Sequence, residues 1–100
     1  MLEKKIEAYL VQQVREVLGG TAYKFTSPGR RSVPDRLCVV KGFCFFVECK
    51  ATDKYLTPTQ QREADRLEDL DQFIHMVNSL QDVDILMEFW KDKLEESVDI

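Results

Sequence analysis

The sequence predicts an α/β domain in which a small β-sheet is flanked by helices, in the order α-β-β-β-α-β-α. Apolar residues recur at helical spacing near both ends of the chain. Between them, the apolar runs Arg36–Val40 and Phe43–Val47 meet at Lys41-Gly42, a pattern typical of two strands joined by a tight turn. A chain of 100 residues is about the size of one small domain. We therefore expect residues 1–100 to form a single, stand-alone domain.

The first elements are predicted from periodicity and from the residues that interrupt it. The first helix should run from about Leu2 to Leu18, because apolar residues recur there at helical spacing and Gly19-Gly20 then ends the pattern. Ala22 to Phe25 is predicted to form a short strand. Ser27-Pro28-Gly29 favours a turn, so the two arginines that follow it should stand on an exposed loop.

The elements after the hairpin are marked by capping residues. Thr57-Pro58-Thr59-Gln60 supplies an N-cap, a proline in the first turn and a capping-box glutamine, which predict a helix to about Leu70. Gln72 to Val77 is a short apolar segment typical of a strand. Ser79, with an aspartate three residues later, starts the last helix. We expect its final residues, Glu95 to Ile100, to fray.

The predicted hairpin brings two carboxylates and an amine together. If Lys41-Gly42 is the loop, the numbers of paired residues sum to 83 and Asp35 lies directly opposite Glu48. Their Cβ atoms should then be about 4.5–5.5 Å apart on one face of the sheet. Lys50, two residues beyond Glu48, points to that same face.

Such a cluster is suited to the chemistry of divalent metals. Two carboxylates held this close repel each other unless a proton or a cation lies between them. Oxygen ligands favour Mg²⁺ or Mn²⁺, which bind through one or two carboxylates and substrate phosphate. A lysine beside the ion can orient the attacking water or help to deprotonate it. The sequence therefore predicts hydrolysis of phosphodiester bonds in nucleic acid, with Asp35, Glu48 and Lys50 as catalytic residues.

The same residues carry a resemblance to a known family. Pro34-Asp35 followed by Glu48-Cys49-Lys50 resembles the PD-(D/E)XK nuclease signature, and the longer pattern resembles the VRR-NUC (virus-type replication-repair nuclease) family. The sequence departs from the family pattern at Ser32 and Asp71, where glycine is usual or frequent. The segments that carry the resemblance are Lys24–Leu37, Phe46–Ala51, Thr57–Gln60 and Leu67.

The resemblance implies a restriction-endonuclease-like core with a mixed β-sheet and a Mg²⁺- or Mn²⁺-dependent endodeoxyribonuclease. Small members of the family look like homodimers that act on branched DNA such as four-way junctions, in viral or bacterial replication and repair. It also implies a carboxylate from the first helix and the Cys49 backbone carbonyl as metal ligands. Glu7 is the preferred carboxylate, and Glu3 on the same face is the alternative. Gln60 is either a site residue or only a helix cap.

The predicted DNA-binding residues lie in a basic segment of an acidic chain. The net charge is -4, but residues 24–36 contain four basic side chains and one acidic one. Residues 82–100 carry seven acids and two lysines, so DNA should avoid the last helix. Arginine can bind phosphate through its two-pronged guanidinium. The predicted contacts are Lys24, Ser27, Arg30, Arg31 and Arg36.

Other chemically distinctive residues are predicted to be structural. Cys38, Cys44 and Cys49 lie in predicted strands without a metal-binding spacing, so they should be buried and reduced. His75 should be a packed or edge residue, and Trp90 should belong to the core or a dimer contact. The sequence contains no apolar run long enough to cross a membrane and no signal peptide. We therefore expect a protein of the bacterial or phage-infected cytoplasm.

Two other functions fit parts of the pattern. A DNA-binding module could keep the nuclease fold without turnover, and its DNA binding would then be indifferent to Asp35→Ala. A protein-interaction domain could instead use the acidic C-terminal helix, with the hairpin only structural. Its melting temperature would not respond to Mn²⁺.

Overall fold

The computed structural model describes residues 1–98, which form three helices and four strands in the predicted order. The helices are α1 (Glu3–Leu18), α2 (Pro58–Asp69) and α3 (Leu80–Val98). The strands are β1 (Thr21–Lys24), β2 (Arg36–Val40), β3 (Phe43–Cys49) and β4 (Ile74–Val77). α3 is helical as far as Val98, and the fraying expected from Glu95 stays a prediction. The last two residues of that prediction lie outside the described part of the chain.

The strands form one mixed sheet in the order β1-β2-β3-β4. The first three are antiparallel neighbours, whereas β4 pairs with β3 in parallel. The hairpin has the predicted register, with Val40 opposite Phe43 and Arg36 opposite Val47. Gly42 occupies the turn at φ 82°, a left-handed conformation that glycine adopts without steric cost. The fold class and the pairing that positions the carboxylates are therefore confirmed.

The two faces of the sheet are covered by different helices. On β3, Phe45, Val47 and Cys49 alternate with Glu48 and belong to the core that the sheet forms with α1 and α3. Glu48 points to the other face, where it lines a small cavity together with residues of α2. The central position of β3 explains why most of its side chains are apolar on both faces.

An aromatic cluster holds α3 against the core face. Trp90 is fully buried and stacks on Phe45 with 4.4 Å between ring centroids. Its indole N–H donates a 3.1 Å hydrogen bond to Nε2 of His75. Burial lowers the pKa of His75 to about 4, so the neutral ring accepts this bond. The packed His75 and the core position of Trp90 are both confirmed.

The three cysteines are free, but their environments differ. Cys38 and Cys49 are buried, and burial raises the pKa of Cys38 to about 12 and that of Cys49 further still. The prediction of burial is wrong for Cys44, which is exposed. Cys44 pairs with Val39, itself 41% exposed, on the side of the hairpin away from the core.

None of the helices in residues 1–98 combines the length and apolar content needed to cross a bilayer.

Candidate active site

Asp35 and Glu48 meet where β2 begins and β3 approaches its end. Asp35 immediately precedes β2, and its carboxylate accepts a 2.9 Å hydrogen bond from the backbone N–H of Cys49. The Asp35 carbonyl accepts another from the N–H of Phe25, which fixes this residue to the end of β1. Glu48 is only 5% exposed. The structure therefore brings the predicted carboxylate pair together.

The environment of Glu48 disfavours its negative charge. Burial is the largest cause, and hydrogen bonding to Asp35 and the negative charge of Asp35 act in the same direction, so the pKa of Glu48 rises to about 8. The Lys50 ammonium opposes the shift, which places this side chain within electrostatic reach. Lys50 is held by its backbone N–H, which donates to the Val77 carbonyl at 2.9 Å. The pair therefore needs a proton or a cation to neutralise it.

Gln60 is both a helix cap and a neighbour of the carboxylate pair. Its Oε1 accepts from the Thr57 N–H at 3.0 Å, while the Thr57 hydroxyl accepts from the Gln60 N–H at 3.2 Å. These bonds confirm the predicted capping box. The residue also lines the small cavity beside Glu48, together with Ser32 and Pro34. A role for Gln60 in the site stays a prediction.

Glu7 is paired with two basic side chains rather than with Asp35 or Glu48, although the charges of all three acids help to raise the pKa of Cys49. Its Oε2 accepts from Nε of Arg36 at 2.7 Å and from Nζ of Lys24 at 3.4 Å. Arg36 lies opposite Val47, so these contacts are on the α1 face, whereas Glu48 points to the α2 face. Within residues 1–98, no group of three or more His, Cys, Asp or Glu side chains is placed to hold a metal ion. Glu3, the alternative, is exposed at the start of α1.

The five predicted DNA contacts differ in their ion pairs and in their exposure. Lys24 and Arg36 are ion-paired with Glu7. The Ser27 carbonyl accepts from the Arg30 N–H at 3.3 Å, as expected for the predicted turn. Arg31 is exposed on the loop. Lys24, Arg30 and Arg31 are all exposed, but Lys24 and Arg30 are each paired with a carboxylate, that of Arg30 lying on α2.

That carboxylate belongs to Glu63, which the sequence analysis missed. Glu63 is 7% exposed and accepts from Nε of Arg30 at 3.0 Å and from Arg66 at 3.4 Å. Burial works to raise the pKa of Glu63, but hydrogen bonds and charge from Arg66 and Arg30 outweigh it and lower the pKa. One signal could have found it, because Glu63 lies in the helical stripe of Ala64 and Leu67, where an acidic residue needs a partner.

Comparisons with known proteins identify the family of the chain. No family model matches the sequence. Over 66 residues, the chain is 56% identical to "Putative nuclease p44" of Acyrthosiphon pisum secondary endosymbiont phage 1, covering 65% of this chain and 70% of that protein. A solved structure described as "VRR_NUC domain" is 32% identical with a TM-score of 0.79, over 86% of this chain and 94% of that one. The chain belongs to the VRR-NUC family.

The two residues that depart from the VRR-NUC pattern share an unusual backbone conformation. Ser32 and Asp71 both adopt φ 62°, the left-handed conformation that favours glycine. Asp71 follows the C-cap of α2, where a left-handed glycine commonly ends a helix. Ser32 lies in the loop between Arg31 and the Asp35–Glu48 pair. This VRR-NUC chain therefore keeps the backbone conformation that glycine favours while placing side chains there.

The donor set of this VRR-NUC site suits a hard divalent cation. Asp35 and Glu48 present carboxylate oxygens side by side, and the Cys49 backbone adds a carbonyl next to them in sequence. Mg²⁺ characteristically binds through one or two carboxylates and completes its shell with water and phosphate oxygens. A positive ion between the acids would also remove the electrostatic cost of ionising Glu48. The residues present therefore fit Mg²⁺ or Mn²⁺.

Proposed function

We propose that this chain is a metal-dependent DNA endonuclease that hydrolyses phosphodiester bonds. The observation that carries the proposal is the convergence of Asp35, buried Glu48 and Lys50 at one end of the hairpin. Membership of the VRR-NUC family and the relative named as a nuclease support the same reaction class. We further propose that residues 1–100 act as one domain.

The residues of the site have separate roles in this proposal. Asp35, Glu48 and the Cys49 carbonyl would hold the metal ion, with Glu7 as a further ligand only if it leaves Arg36. When bound, Mg²⁺ or Mn²⁺ supplies Lewis acidity toward the phosphate and makes a coordinated water more acidic. Lys50 orients the attacking water and stabilises charge that develops on the phosphate.

Surrounding residues position the substrate. Arg30 and Arg31 hold backbone phosphates through charge-assisted hydrogen bonds. Gln60, at the start of α2 beside Glu48, contacts the substrate or its water. Lys24, Ser27 and Arg36 extend the contact along the β1 end of the loop, where Glu7 balances two of their charges.

The preferred substrate is proposed to be branched DNA such as a four-way junction, cut during viral or bacterial replication or repair. Kinship supports this choice, as does the phage origin of the relative. A two-fold homodimer would place two sites on symmetric strands. Exposed Ile85 and Phe89 on α3, beside edge strand β4, offer apolar surface for such a contact. The enzyme would act in the bacterial or phage-infected cytoplasm.

Cleavage of defined DNA structures tests the proposal. Purified protein is incubated with labelled linear, flap and four-way junction DNA in Mn²⁺ or in EDTA, beside Glu48→Gln. We expect cutting in Mn²⁺ only, strongest on the junction, and none by the variant. Absence of product from all three substrates would overturn the nuclease function. Junction binding without cutting would favour a non-catalytic DNA-binding module.

A further inference from the structure

An arginine-rich surface lies between helix α2 and the loop that carries Arg30 and Arg31. There an open groove is lined by four arginines, two from the loop and two from the helix. Glu63 lies among them and is the buried member of the set. Asp65 and Asp69 also line the groove, so its charge is mixed. The arginines are Arg30, Arg31, Arg62 and Arg66.

Glu63 organises two of these arginines without using all their donors. Arg30 binds it only through Nε, and Arg66 binds it through Nε and one terminal nitrogen. The two arginine side chains remain 49% and 45% exposed. Since a guanidinium carries five N–H donors, the terminal groups of Arg30 can still meet a phosphate. The buried carboxylate also offsets the repulsion between two neighbouring guanidinium groups.

The groove adjoins the candidate active site. The same loop that carries Arg30 continues through Ser32 and Pro34, which line the cavity beside Glu48. On α2, Gln60 lines that cavity, while Arg62 and Arg66 line the groove. At about 1.5 Å per helical residue, Arg66 lies about 9 Å along the axis from Gln60. That separation places the groove beside the candidate active site rather than within it.

We propose that Arg62 and Arg66 extend the DNA-binding surface and contact backbone phosphates that flank the cleaved bond. Glu63 is a positioning residue that fixes Arg30 and Arg66 for this contact. The inference deepens the proposed function and rests on it for the identity of the ligand. Phosphate contacts of this kind set affinity and register but carry no base specificity.

The salt dependence of DNA binding tests the arginine surface. Binding of fluorescent junction DNA is measured in EDTA across a salt titration, so that no cutting intervenes. Arg62→Ala and Arg66→Ala should each weaken binding about 3- to 10-fold and reduce the slope of log Kd against log salt by about 1. Arg15→Ala is the matched control, because Arg15 is an exposed arginine of α1, a helix of the opposite face. Equal affinity and slope for all three variants would overturn the proposal.

The acidic residues of the groove give a test of opposite sign. Asp69→Asn should tighten DNA binding, because a like charge near the bound phosphates is removed. Glu68→Gln removes the same charge from an exposed position of α2 that does not line the groove. If both variants tighten binding equally, the groove has no special proximity to DNA and the proposal fails.

Kinetics test the positioning role of Glu63. Glu63→Gln should raise KM for cleavage several-fold while kcat stays within about twofold, because Arg30 and Arg66 lose their anchor but the metal-binding pair is untouched. Glu63→Asp should restore part of the affinity. A lower melting temperature with unchanged KM would mean that Glu63 is only structural. Should the parent cut no DNA, the proposed function fails, whereas the salt slopes still report on the arginines.

Discussion

Glu48 and Glu63 are the two buried charged side chains among residues 1–98, and their surroundings are opposite. Glu63 has two arginine partners, which lower its pKa. Glu48 faces another carboxylate and is buried, and its pKa rises to about 8. The chain itself compensates the first charge and leaves the second to a proton or an external cation. A buried acid that its own protein leaves unbalanced therefore marks the candidate site better than burial alone.

The largest expected effect comes from Glu48→Gln. The substitution removes a metal ligand and should reduce cleavage at least about 10³-fold. In EDTA it should also stabilise the protein by about 3 kcal/mol at neutral pH, because the native state no longer holds an acid with a raised pKa. Cleavage assays and denaturant unfolding in EDTA measure the two effects. Unchanged cutting, or a variant less stable than the parent, would contradict the contrast between the two glutamates.

Acid titration separates Glu48 from a second buried group, His75. The raised pKa of Glu48 makes the unfolding free energy in EDTA increase as pH falls from about 8 to 4.5. The lowered pKa of His75 makes it decrease as pH falls from 6.5 to about 4, because only the unfolded chain binds the proton. We expect about 3 kcal/mol of loss from His75. In Glu48→Gln, the increase in unfolding free energy that is due to Glu48 should vanish. The decrease that is due to His75 should remain.

The same substitution at the other buried glutamate should change the unfolding free energy in the opposite direction. Glu63→Gln removes the charge that Arg30 and Arg66 bind, so we expect a loss of about 1–2 kcal/mol, toward the lower end of the range of about 1.5–3 kcal/mol for hydrogen bonds to charged groups. Because both arginines are half exposed, water limits the loss. Denaturant unfolding of Glu48→Gln and Glu63→Gln, side by side in EDTA, measures both signs. Two variants shifted in the same direction would refute the comparison.

The carboxylate pair could be predicted because it depends on local geometry. A two-residue turn fixes the register of a hairpin, and the register fixes which side chains face each other. Asp35 and Glu48 were therefore found from the sequence, as was the capping box of Gln60. Helix boundaries were close for the same reason, since caps and periodicity are local signals.

The contacts that could not be predicted join distant parts of the chain. Arg30 and Glu63 are 33 residues apart, and Arg36 and Glu7 are 29 apart. Which partner a long side chain takes depends on how the helices cross the sheet, and no local pattern specifies that angle. The predicted burial of Cys44 was wrong for a similar reason, because an apolar pattern does not tell how far the helices extend over the hairpin.

The smallest expected effect on stability comes from the two residues with left-handed backbone conformation. Comparing them tests whether backbone strain matters for the candidate active site. Ser32 and Asp71 share φ 62°, but Ser32 borders the Glu48 cavity and Asp71 follows α2. Replacing each with glycine should stabilise the protein by about 0.5–1 kcal/mol, since relief of the left-handed cost exceeds the added flexibility of the unfolded chain. Thermal unfolding measures this gain. Only Ser32→Gly should also change KM for DNA, because it makes the segment that carries Arg30 and Arg31 more flexible. An equal change of KM in Asp71→Gly would show that the stiffness of this loop has no particular effect on the site.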